Sequence, residues 1–60
     1  MMTIDRSYNE YTLNELLDLI AGYKQILIRP DFSEVFDLVY ELTYTGGKVS
    51  ADEKGLLVTF

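Results

Sequence analysis

On a helical wheel, Leu13, Leu16, Leu17, Ile20, Tyr23 and Leu27 fall within an arc of about 120°, with Glu15, Asp18, Gly22, Gln25 and Arg29 opposite. This spacing predicts a helix with one buried stripe. Its start is marked by Thr12-Leu13-Asn14-Glu15, because a Thr followed three residues later by Glu forms a capping box that satisfies orphan backbone donors. The preferred reading is one continuous helix over about 13–28. Two residues support a rival: Gly22 costs about 1 kcal/mol relative to Ala inside a helix, and Lys24 projects into the apolar arc. In the rival the helix ends near Gly22 and residues 23–29 form a short strand, for which Ile26, Leu27 and Ile28 have the right character. Pro30 ends the segment either way.

A second amphipathic segment follows, with Asp31 or Ser33 as N-cap and Glu34 placed to complete a box. Phe32, Val35, Phe36, Val39 and Leu42 share one face, and Ser33, Glu34, Asp37 and Glu41 share the other. The same residues also alternate as a strand would, so the capping residues and the polar face decide for a helix over about 32–44. Gly46-Gly47 supplies its stop. Beyond it, residues 48–50 and 56–60 read as a hairpin across the polar turn 51–55. A third helix capped by Ser50-Ala51-Asp52-Glu53 is the rival there, and Gly55 with the closing Leu, Val, Thr and Phe tilts the choice to strand. Residues 3–8 are a candidate further strand, with Ile4 and Tyr8 on one side. The expected fold is a small α+β single domain over residues 1–60, two helices against a short antiparallel sheet; the alternative is a three-helix bundle.

Composition changes this picture in two ways. A chain of 60 residues makes one small core, and chains of this size usually need a disulfide, a metal or a partner to add stability. With no Cys and no His, no bridge or zinc site is expected, no cofactor is implied, and association gains weight, whether as a homodimer or with another protein. Ten acidic residues against five basic ones give a net charge of −5, which repels phosphate backbones and anionic lipid. Direct binding to nucleic acid or membrane is therefore not expected. No apolar run approaches the roughly 18 to 20 residues of a membrane span, and the start of the chain lacks a signal-peptide layout, so the expected location is cytoplasmic.

Candidate chemistry is sparse. Acid-base and nucleophilic catalysis commonly recruit His, Cys or a tuned Lys; the first two are absent, and Thr12, Ser33 and Ser50 are accounted for as caps or turn residues. No enzymatic activity is expected. Gly46-Gly47-Lys48 lacks the spacing of a phosphate loop, and Asp52-Glu53 does not supply a calcium loop.

The distinctive surface signal is acidic and aromatic. Glu34, Asp37 and Glu41 recur at i, i+3 and i+7, and Glu15 with Asp18 do likewise on the first helix. Carboxylates one turn apart lie about 5 to 6 Å from each other, close to phosphate spacing, so such a row can imitate a nucleic-acid backbone before a basic groove. Solubility alone is the plainer use of such a face. Five Tyr residues add interface-forming side chains, with Tyr40 and Tyr44 at the margin of the acidic face and Leu19, Ile26 and Leu38 off the apolar arcs.

The residues singled out for partner binding are Glu15, Asp18, Glu34, Asp37, Glu41, Leu38, Tyr40 and Tyr44. The function expected is a protein-binding module that inhibits or regulates a partner by occluding its site, the partner being a protein with a basic, nucleic-acid-binding surface. In profile, though in no motif, the chain resembles small inhibitors of phages and mobile elements, including anti-CRISPR and DNA-mimic proteins. The alternative is a homo-oligomeric assembly subunit.

Overall fold

A computed structural model describes residues 1–60. In chain order it contains β1 (Met2–Ile4), a single 3₁₀ turn (Arg6–Tyr8), α1 (Leu13–Ile20), β2 (Gln25–Ile28), α2 (Val35–Tyr44), β3 (Lys48–Asp52) and β4 (Gly55–Thr59). The fold is the expected α+β domain with two helices, and the three-helix alternative does not form.

Thr12 opens α1 as its spacing to Glu15 predicts. The Thr12 N–H donates to Glu15 Oε1 at 2.8 Å, and the Glu15 N–H donates to Thr12 Oγ1 at 3.1 Å. The helix then stops at Ile20, so the continuous helix over 13–28 is corrected to a helix followed by a strand. Gly22 adopts a φ of +89°, a left-handed conformation that Gly takes without steric cost, and the Tyr23 N–H closes the turn on the Ile20 carbonyl at 3.1 Å. Ile26, Leu27 and Ile28 are all buried, β2 being a central strand with β1 on one side and β4 on the other.

The sheet is mixed, where an antiparallel one was expected. β1 pairs parallel with β2, β2 pairs antiparallel with β4, and β4 pairs antiparallel with β3, giving the order β1-β2-β4-β3. α1 is the crossover that parallel neighbours require. The N-terminal strand is shorter than residues 3–8, because the Asp5 carboxylate caps the 3₁₀ turn by accepting from Ser7. The C-terminal segment forms the hairpin, with Glu53 and Lys54 at its turn.

Strand register places Ile4 beside Ile28 and Ile26 beside Val58 on one face of the sheet. Leu16 and Ile20 of α1, Leu38 and Leu42 of α2, and Phe32 from the preceding loop complete a single core cluster with them. Both helices therefore cover the same face. By strand alternation Leu27 lies on the opposite face, outside that cluster.

The second helix departs from expectation at its start and in its orientation. It begins at Val35, and its N-cap position is Glu34 with no side-chain cap; neither Asp31 nor Ser33 takes that role. The Ser33 N–H is instead held by Asn9 Oδ1 at 2.7 Å. Leu38 is fully buried, whereas Phe36, expected inside, is 81% exposed. Leu38 and Leu42 point at the sheet, with Val35 and Val39 packed beside them. No helix is long and apolar enough to cross a membrane.

Candidate functional site

Burying Leu38, Leu42, Val35 and Val39 leaves the other half of α2 to solvent. Four residues advance a helix by one turn and about 40° more, so Phe36, Tyr40 and Tyr44 line up as a ridge on that half. They are 81%, 59% and 72% exposed. Tyr40 and Tyr44 brace each other through a hydroxyl-hydroxyl hydrogen bond of 2.9 Å and edge-to-face rings with centroids 4.9 Å apart. That bond raises the Tyr40 pKa above its ordinary value, with smaller contributions from desolvation and from the charge of Glu41.

Asp37 and Glu41 each follow a ridge residue by one position, and Glu34 stands a turn before them. These three carboxylates and Tyr40 face Asn9, Tyr11, Thr12, Leu13 and Leu16 across a cleft of about 380 Å³ between α2 and the start of α1. The bond from Ser33 to Asn9 ties the two walls together at the top of α2. Tyr11 packs on Tyr8 with ring centroids 5.3 Å apart, which steadies the aromatic part of the opposite wall.

Negative charge accumulates here without compensation, since residues 30–47 contain no Lys or Arg. Asp37 raises the Glu34 pKa above its usual value, first by hydrogen bonding that favours the protonated acid and then by its charge. Two carboxyls can share such a bond only when one holds a proton. No group of three carboxylates gathers closely enough to hold a metal ion. A second hollow, about 430 Å³ and mostly apolar, lies among Leu17, Ile20, Tyr23, Leu42 and Phe60, with Lys24 its one charged residue.

Among the residues expected to form a binding surface, Glu34, Asp37, Glu41 and Tyr40 come together at the cleft, and Tyr44 extends the ridge beyond it. Glu15 is exposed but spends one carboxylate oxygen on the α1 cap, and Asp18 stands on α1 outside the cleft. Leu38 is corrected: it is a core residue and unavailable to a partner. Ile26 is likewise buried, and of the three off-arc residues only Leu19 is exposed. Phe36 and Asn9 were missed. For Phe36 the signal was in the sequence, in the series of aromatics at 36, 40 and 44.

Comparison with known protein families, characterised proteins and solved structures gives no match to this chain.

Proposed function

We propose that this chain is a small, non-catalytic protein-binding module that inhibits or regulates its partner by covering a basic and partly apolar site. The observation that carries the reading is the outer half of α2, where an exposed ridge of Phe36, Tyr40 and Tyr44 runs alongside Glu34, Asp37 and Glu41. Each set has its own task. Carboxylates act at a distance of about 8 to 10 Å in physiological salt and steer the encounter. Aromatic side chains bury large area at little entropic cost and hold the complex once formed.

A helix presenting anchors at i, i+4 and i+8 is suited to a groove, which it enters with one face. The acidic row beside those anchors selects a groove bordered by Lys and Arg. Such a border is what a nucleic-acid-binding protein offers to phosphates, so the module acts in part as a mimic of the nucleic-acid backbone. Replacing all three carboxylates in E34Q/D37N/E41Q is expected to weaken partner binding and to flatten its dependence on salt, measured by calorimetry across a salt series. Unchanged affinity with an unchanged salt slope in that variant would overturn the mimicry.

A further inference from the structure

β3 has a hydrogen-bonded neighbour on one side only, because it ends the sheet in the order β1-β2-β4-β3. All five of its residues, Lys48–Asp52, are exposed. Edge strands are normally blunted by Pro, by a bulge or by charged side chains, and the only charges on β3 are Lys48 and Asp52 at its two ends. β3 contains no Pro and no Gly, and it pairs with β4 residue for residue without a bulge. The other edge, β1, is only three residues long and ends in the buried Ile4.

Backbone parity determines what this edge presents. The Phe60 N–H donates to the Lys24 carbonyl at 2.9 Å, continuing the pairing of β4 with β2. Bonding alternates from side to side along a strand, so Leu56, Val58 and Phe60 bond towards β2 while Gly55, Leu57 and Thr59 bond towards β3. Their β3 partners are Asp52, Ser50 and Lys48, whose backbone groups are thereby used. Val49 and Ala51 turn their N–H and C=O groups to the open edge.

We propose that β3 pairs antiparallel with β3 of a second copy of this chain, about a two-fold axis passing beside Ser50. In this register Val49 stands opposite the partner's Ala51, and both are outward-bonding residues, so four N–H to C=O bonds form across the seam. Lys48 stands opposite the partner's Asp52 at each end. These are non-hydrogen-bonded positions, where facing Cα atoms approach to about 4.5 Å and side chains interact best. A shift of two residues either way loses an outward-bonding pair and sets Lys48 or Asp52 against Ser50. A shift of one residue opposes an outward-bonding residue to an inward-bonding one. One register alone satisfies the backbone and the charges together, and the lysine that would repel a foreign strand becomes a contact for this one. The dimer is independent of the reading given to α2.

Sedimentation equilibrium at physiological ionic strength tests it over a concentration series. The wild-type chain is expected to rise from its 6.9 kDa monomer mass towards twice that value. A51P removes a donor that the monomer ladder does not use, so it is expected to abolish the rise while leaving the far-ultraviolet circular dichroism intact. K48D places like charges opposite each other and is expected to weaken association several-fold; K48D/D52K is expected to restore it. Asp52 also accepts from the Lys54 N–H at 3.0 Å, so the double variant is compared with its own folded spectrum. S50C, in a chain without other thiols, is expected to form a disulfide-linked dimer faster than V49C, and to lose that advantage when combined with A51P. A chain that stays monomeric at every concentration would overturn the proposal, as would a dimer indifferent to A51P and to the charge swap.

Discussion

Two acidic residues bind protons differently in the folded chain, and their effects on stability run in opposite directions with pH. Asp5 accepts from the Ser7 hydroxyl at 2.6 Å and the Ser7 N–H at 3.0 Å, bonds that favour its charged form and hold its pKa below the ordinary 3.8. A depressed pKa contributes stability above the unfolded value, and that contribution is lost as pH falls through the folded value. D5N is therefore expected to melt at lower temperature than wild type at neutral pH, the gap closing in acid. Glu34 behaves in the opposite sense. Its pKa lies above 4.5 because of Asp37, so its contribution is full below the ordinary value and disappears as pH rises through the folded one. E34Q is expected to match or exceed wild type at neutral pH, and to show a smaller gain than wild type as pH falls from neutral towards 4.5. Thermal melts of the three chains across a pH series check both signs.

The elements were legible where a local signal was decisive. Thr12 and Glu15 cap α1 as read, and Gly46-Gly47 ends α2, the Gly47 N–H returning to the Leu42 carbonyl at 3.0 Å. The length of α1 was misread because Tyr23 and Leu27 continue the helical arc, yet Gly22 and the buried run of β2 end it. Periodicity within 13–28 cannot report that β1 and β4 flank residues 25–28; those partners lie far off in sequence. G22A is accordingly expected to cost about 1 to 2 kcal/mol, since any side chain resists the left-handed conformation, as denaturant unfolding can measure. The orientation of α2 was misread for another reason. Seven of its ten residues are apolar or aromatic, so several faces could have been buried, and contact with the sheet selected the one containing Leu38. L38A is expected to cost about 2 to 5 kcal/mol, and F36A to stay within about 0.5 kcal/mol of wild type. The reverse order in a denaturant titration would restore the original orientation.

At the scale of the molecule, one sheet face carries both helices, nine buried residues form the core between them, and α2 divides its outer half between aromatic and acidic side chains. Glu34, Asp37, Glu41, Tyr40 and Tyr44 were identifiable from spacing alone, because i, i+3, i+4 and i+7 relations survive any rotation of the helix. The cleft they share with Asn9 and Tyr11 was not, since it depends on how α1 and α2 meet. The proposed function requires a partner to engage that surface. Its most direct test is affinity capture from the native host with wild type and with F36A/Y40A/Y44A, which alters only exposed side chains. A protein held by the wild type in moderate salt and lost from the folded variant is the expected result; the same proteins held equally by both would contradict it.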